Sequence, residues 1–239
     1  MQYQLEKFQN GLKSLNINLT EEQLNQYLTF YELLIEKNKV INLTAITEFD
    51  EVVEKHFLDS LSLARSIDLN HPLKILDLGT GAGFPGIPLK IAFPQLEIVL
   101  MDSLNKRVLF LQDVISQLEL SGIYAVHGRA EEMARKTEYR EHFQLCVSRA
   151  VANLSSLSEY CLPFVKQDGL FVSYKSGDIE EEVHQAKKAI YVLGGKVEEV
   201  EKFVLSGTDI SRSFVKIRKK KRTPKIYPRK AGTPTKDPL

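Results

Sequence analysis

Apolar residues at Leu5, Phe8, Leu12 and Leu15 recur at three- and four-residue spacing, which places them on one face of a helix. Thr20-Glu-Glu-Gln23 has the form of a capping box and opens an apolar-periodic run reaching about Lys37. Asn38 to Thr47 breaks that period with Asn and Thr, and a further helix is expected from Asp50 through His56, Leu61 and Arg65. From Pro72 the pattern changes. Short apolar runs at Lys74–Leu78, Glu97–Met101, Ile123–His127, Leu145–Ser148, Leu170–Lys175, Lys196–Leu205 and Ser213–Arg218 alternate with helical segments. That alternation predicts an α/β fold with a mostly parallel seven-strand sheet and helices on both faces. The last two runs are separated by a short Ser-Gly-Thr-Asp turn with no room for a crossover helix, so they are expected to form an antiparallel hairpin.

A Rossmann-like sheet ending in such a hairpin is the arrangement of class I methyltransferases, whereas a dinucleotide-binding dehydrogenase would continue parallel. Three parts are expected: a helical N-terminal extension over 1–70, a cofactor-binding domain over 71–218, and a basic, proline-containing tail over 219–239. With 239 residues, 43% of them hydrophobic, the chain can bury a full core around one such sheet. It contains no apolar run approaching the ~18 residues of a membrane span and no export signal, so a cytoplasmic protein without a membrane partner is expected. Its two cysteines, Cys146 and Cys161, lie in apolar segments and suggest neither a disulfide framework nor a metal site.

The net charge of +1 conceals an asymmetry. Residues 216–239 hold ten Lys/Arg and one Asp, so this end carries about +9 and the remainder about −8. The prolines at 224, 228, 234 and 238 point to an extended or disordered tail. Lys219, Lys220, Lys221, Arg222, Lys225, Arg229 and Lys230 are its candidate phosphate contacts, with Tyr227 as a stacking surface. Lys106, Arg107 and Lys175, near strand ends, extend the same path. A charge run is often only a solvated face, and this one gains meaning from what precedes it.

Candidate chemistry centres on Ile75-Leu-Asp-Leu-Gly-Thr-Gly-Ala-Gly-Phe-Pro-Gly86, a buried strand running into a glycine cluster and a helix. Gly79, Gly81 and Gly83 let the backbone turn sharply against a ligand, and Asp77 offers an acceptor for a ligand amino group. The segment from Gly81 to Gly86 also fits a dinucleotide fingerprint, so the glycines alone leave S-adenosylmethionine and a nicotinamide cofactor both open. A short-chain dehydrogenase would need a Tyr-x-x-x-Lys pair, whose single match, Tyr3 to Lys7, lies far upstream. Asp102, ending the second strand with Ser103 beside it, is placed to hold a ribose diol or to cap the next helix. Ala130 and Glu131 follow the third strand, where the adenine loop is expected, and Glu131 could equally start a helix. After the fourth strand stands Ser148-Arg149-Ala150-Val151, not the Pro-Pro-aromatic turn of exocyclic-amine methyltransferases, and both cysteines look like core residues unsuited to covalent pyrimidine catalysis. A purine ring nitrogen carries an in-plane lone pair and needs no general base, so positioning, with Arg149 as the candidate, would suffice. His56, among Phe57 and Leu58, reads as a packed structural residue, and Asn42 and Thr44 as turn and cap residues.

Taken together, Asn42–Thr47, Lys55–Leu61, Ile75–Leu89, Asp102–Arg107, Gly128–Glu132, Ser148–Leu154 and Pro228–Pro234 resemble the ribosomal RNA small subunit methyltransferase G family, also called glucose-inhibited division protein B, over nearly the whole chain. The resemblance implies S-adenosylmethionine as cofactor, 16S ribosomal RNA or the small subunit as partner, and 7-methylguanosine in the decoding region as product. It places Gly79, Phe84, Ala130, Glu131 and Arg149 on cofactor-binding positions. A monomer without a metal site is expected.

Overall fold

The computed structural model describes residues 3–149 and 152–239; Ala150 and Val151, inside the Ser148–Leu154 motif, lie outside the described residues. The N-terminal extension comprises α1 (Glu6–Ser14), α2 (Glu21–Ile41), α3 (Phe49–Val52) and α4 (Asp59–Leu61), with a π-helical stretch at Val53–Leu58 and a 3-10 turn at Ser62–Arg65. There follow β1 (Lys74–Leu78), α5 (Gly86–Ala92), β2 (Glu97–Asp102), α6 (Asn105–Gln117), β3 (Ile123–His127), α7 (Ala130–Met133), β4 (Phe143–Arg149), α8 (Leu154–Cys161), β5 (Val165–Ser176), α9 (Glu180–Val192), β6 (Gly195–Val204), β7 (Ser211–Lys219) and α10 (Thr233–Lys236).

The seven strands form one sheet in the order β3-β2-β1-β4-β5-β7-β6. β1 to β5 pair in parallel, and β7 is antiparallel to both β5 and β6. The expected hairpin is therefore present, and its returning strand inserts between β5 and β6. The reversal of strand order beside β1 opens a crevice at the carboxyl ends of the parallel strands, where ligands of such sheets bind.

Two apolar layers sandwich the sheet. On one face Ile75, Ile98 and Val147 pack with α5, α6 and the extension, and on the other Leu76, Cys146 and Phe171 pack with α8 and α9. The expected capping box is formed: Thr20 Oγ1 accepts from Gln23 N, and Gln23 Oε1 accepts from Thr20 N at 2.8 Å. Gln23 also donates to the Ile91 carbonyl at 2.7 Å, and the buried Tyr27 hydroxyl donates to Pro88 O at 2.7 Å. The extension is thus held against α5 by directional bonds as well as by apolar contact. The single helix expected from Asp50 to Arg65 is instead widened into a π turn at its centre, a feature that tends to accompany functional sites.

The chain beyond β7 departs from the expected loose tail. Lys219 pairs with Gly195 at the amino end of the parallel strands, and the amides of Lys220 and Lys221 donate to Gly194 O. Arg140 then donates to the carbonyls of Thr223, Pro224 and Tyr227. Further on, Arg229 pairs with the buried Glu159 of α8, and Ser156 donates to Pro234 O at 2.6 Å. The segment climbs the α8 face and ends beside the crevice. Hydrogen bonds accepted by its carbonyls fix it where composition alone predicted an extended or disordered tail.

Candidate active site

A cavity of about 470 Å³ opens at the carboxyl ends of β1, β2 and β3, walled in part by Gly79, Asp102, Ser103, Ala130, Glu131 and Asn153. The sheet brings five of the sequence-predicted cofactor residues to this one cleft. Asp102 is buried and holds its loops together: Oδ1 accepts from Leu104 N at 2.9 Å, and Oδ2 from Gly81 N at 3.0 Å. Arg107 pairs with the same oxygen at 3.3 Å and lines the cleft, so the structure places it here and not on an outer RNA path.

Asp77 lies beneath the cleft, fully buried. Its Oδ2 accepts from Thr80 Oγ1 at 2.7 Å and Gly86 N at 2.8 Å, while Oδ1 has no hydrogen-bond partner among the described residues. Burial pushes its carboxyl up to about 6, against the bonds from Thr80 and Gly86 and the nearby Arg149 cation. A Cβ on Gly86 would sit 2.2 Å from Leu100 Cδ2 and 2.9 Å from Asp77 Oδ2, so only glycine lets this amide reach the carboxylate. A Cβ on Gly81, with φ +62°, would meet nothing within 4 Å and would project into open space. The unpartnered oxygen, the open glycine face and the acidic wall at the end of β2 fit a nucleoside-bearing cofactor with an amino group.

Other predicted residues lie elsewhere. A Cβ on Gly83 would meet Ile87 and Leu111, and Phe84 is buried in the core, its ring 4.5 Å from His56 and 5.1 Å from the Arg149 guanidinium. Cys146 and Cys161 are buried, and burial holds the Cys161 thiol well above the usual thiol range, which disqualifies it as a nucleophile.

Arg149 belongs to an adjoining cavity of about 600 Å³, with His56, Asp59, Tyr174, Lys175 and Arg212 in its wall. Its Nη1 donates to Asp59 Oδ2 at 2.7 Å and to Lys55 O, a carbonyl of the π turn, at 3.1 Å. The other Asp59 oxygen accepts from Arg212 Nε at 2.7 Å. Arg149 Nη2 lies 3.3 Å from His56 Nδ1, which is also 3.1 Å from the Lys55 carbonyl, and His56 Nε2 lies 2.8 Å from Thr44 Oγ1. Burial and the Arg149 charge push the His56 imidazole down to about 4, so it is neutral at physiological pH. Lys175 pairs with Glu182 at 2.6 Å and donates to Ala152 O, which lines the first cleft, so a hydrogen bond links the linings of the two cavities.

Sequence reasoning missed Asp59 and Arg212. Asp59 lies three residues after His56 within a motif already singled out, a spacing that puts both on one helical face; Arg212, alone at the start of β7, carries no local signal. The predicted RNA contacts are divided by the fold. Lys106, Lys220, Lys221, Arg222, Lys225 and Lys230 are exposed. Lys219 is a correction: fully buried, it donates to Leu162 O at 2.6 Å and Thr223 Oγ1 at 2.6 Å, and no phosphate can reach it. Burial pushes its ammonium down to about 8. Arg229 is likewise committed to Glu159 and Asp237.

Comparison with known proteins agrees with this geometry. The family model described as rRNA small subunit methyltransferase G matches residues 20–213. A ribosomal RNA small subunit methyltransferase G from Lachnoclostridium phytofermentans is 56% identical over 97% of this chain and 96% of its own, and one from Desulforamulus reducens is 52% identical over 95% of each. Among solved structures, a SAM-dependent methyltransferase from Aquifex aeolicus superposes with a TM-score of 0.53 at 16% identity, over 71% of this chain and 93% of that one, a likeness of fold. By family model and full-length identity, this chain belongs to the rRNA small subunit methyltransferase G family.

Proposed function

We propose that the protein transfers a methyl group from S-adenosylmethionine to N7 of a guanine in the decoding region of 16S ribosomal RNA. The observation that carries this reading is a pair of cavities linked by the bond from Lys175 to Ala152 O: a cleft fitted to a nucleoside cofactor and a second, large enough for a purine. Family membership supplies the substrate class.

Gly79, Gly81, Asp102, Ser103, Ala130 and Glu131 would hold the cofactor, with Asp77 beneath them and Phe84 packed under Arg149. Bound there, S-adenosylmethionine supplies a methyl carbon on a positively charged sulfur. A guanine N7 would accept that methyl through an in-plane lone pair with no proton to lose, so the chain would need no general base there. Positive charge moves onto the purine, so an unscreened cation beside the base would oppose the reaction. The second cavity meets this demand. Asp59 screens Arg149 and Arg212, Glu182 screens Lys175, and His56 is neutral. Arg149 can then orient the base or a phosphate by hydrogen bonding without presenting its full charge.

The exposed Lys106, Lys220, Lys221, Arg222, Lys225 and Lys230 would supply phosphate contacts. The parts divide the work: residues 1–70 help wall the base cavity, 71–218 supply most of the cofactor cleft, and 219–239 contribute charge and, at Thr235, part of the cleft lining. No described helix is long and apolar enough to cross a membrane. A ribosomal substrate supports a cytoplasmic enzyme, which we take to be a monomer. The test is transfer of labelled methyl from S-adenosylmethionine to small subunits, or their RNA, lacking the modification, with nucleoside analysis. Label in 7-methylguanosine supports the proposal. Label elsewhere, or none despite cofactor binding, overturns the substrate assignment.

A further inference from the structure

The segment from Arg229 to Lys236 lies beyond the residues matched by the family model, and four sets of bonds bring it to the cofactor cleft. Arg229 binds both oxygens of Glu159, a fully buried carboxylate on α8, and its own amide donates to Oε1 at 2.7 Å. Pro234 is buried, and its carbonyl accepts from Ser156 Oγ at 2.6 Å. The Thr235 hydroxyl lies 2.8 Å from that of Tyr160, and both residues line the cleft. Most telling, the amide of Gly232 donates to Glu131 Oε1 at 2.9 Å, across a sequence separation of 101 residues. Gly232 adopts φ +80°, the left-handed conformation that turns this amide inward.

We infer that residues 229–236 are a built wall of the cofactor cleft, and that Gly232 is a positioning residue that orients Glu131 toward the adenosine end of the ligand. The inference rests on reading the cleft as the S-adenosylmethionine site. Glu131 is the second residue of α7, only four residues long, and its side chain is fixed by a partner from outside that turn. One carboxylate oxygen is engaged by Gly232, leaving the other for the ligand. The buried Arg229–Glu159 pair anchors the segment below the cleft, so the wall stands before a ligand arrives. Preorganisation of this kind raises affinity by lowering the ordering cost of binding. Its effect falls on cofactor affinity and not on the methyl-transfer step, since the wall adjoins the loop after β3 and not the Arg149 cavity.

The experiment is a double-mutant cycle read by calorimetric titration of S-adenosylmethionine. It compares the full chain with a chain ending at Ala231, each carrying Glu131, Glu131→Gln or Glu131→Ala. In the full chain Gln retains an oxygen for the Gly232 amide and is expected to bind at least tenfold tighter than Ala; in the shortened chain the two should bind alike. Shortening alone should raise Kd about tenfold or more and leave kcat at saturating cofactor within twofold. If the Gln-to-Ala ratio is the same in both chains, the segment is mere packing and the inference falls. Should the shortened chain fail to fold, Thr235→Ala with Tyr160→Phe in the full chain replaces it; an unchanged Kd there overturns the inference. Failure of the unaltered full chain to bind S-adenosylmethionine would instead strike the reading of the cleft itself.

Discussion

Arg149 at the end of β4 and Asp59 at the start of α4 meet at 2.7 Å, with side chains only 15% and 4% exposed, and this contact ties the extension to the catalytic edge of the sheet. Arg212 closes the arrangement from β7. Removing one member of such a pair leaves charge buried without compensation, at a cost of about 3 kcal/mol or more. Asp59→Asn is therefore expected to lower unfolding free energy by about 3 kcal/mol in urea titration, and methyl transfer by roughly a hundredfold through misplacement of Arg149. Arg149→Lys should not restore activity in any background, because one ammonium cannot serve Asp59, Lys55 O and His56 together. Unchanged stability in Asp59→Asn would show that the pair is not the anchor described.

Acid should act on this site through His56. Its imidazole titrates at about 4 when folded, against 6.5 unfolded, so the unfolded chain takes up the proton first as pH falls. The stability associated with the neutral ring is complete above about 6.5 and is lost as pH drops toward 4, a total of roughly 3 kcal/mol. Asp77 works the other way: raised to about 6, it favours the folded state at low pH, and that contribution is lost as pH rises through 6. The two offset each other in the wild type. The difference in unfolding free energy between wild type and His56→Gln removes the Asp77 contribution, and is expected to shrink by up to about 3 kcal/mol between pH 7 and pH 4. A pH-independent difference would contradict the assigned neutral ring.

The glycine loop offers a contrast between two substitutions. Gly81→Ala puts a methyl group into open space, so its conformational strain should cost only about 1 kcal/mol while the methyl obstructs the cofactor. Gly86→Ala drives a methyl into Leu100 and Asp77 and should cost about 3 kcal/mol or more, through overpacking and loss of a buried bond. Thermal melting without ligand should separate the pair, and S-adenosylmethionine titration should show a large affinity loss for Gly81→Ala despite near-normal melting. Equal melting losses would mean that the loop is uniformly packed.

These relationships mark what could be read from the sequence. All seven strands were legible as short apolar or alternating runs, those of β1 to β5 set between helical segments, and the terminal hairpin because its turn leaves no room for a crossover. Residues that line the cleft were legible because β1, β2 and β3 each contribute at a fixed place, at or just after the strand end. Asp59 and Arg212 were not, since a salt bridge spanning 153 residues leaves no local pattern. Nor could composition distinguish Lys219 from Lys220: one points into a core that only the fold creates, and the other into solvent.

That last distinction bears on RNA binding. β7 runs from Arg212, at the base cavity, to Lys219, seven residues and roughly 23 Å away at the opposite end of the sheet. Lys220, Lys221, Arg222 and Lys225 therefore stand far from the site of methyl transfer, and an RNA that touches them must span the domain. Replacing these four with Gln should leave melting temperature and cofactor affinity unchanged. It should weaken binding to small-subunit RNA and make the plot of log K against log salt concentration shallower by up to about 3 to 4 for duplex contacts. Lys219→Ala should do the reverse, costing about 2 kcal/mol of stability by stranding Leu162 O and Thr223 while leaving the salt slope alone. If the fourfold variant keeps the wild-type slope, RNA does not reach this end of the molecule, and the phosphate contacts lie instead around Lys106 and Lys230.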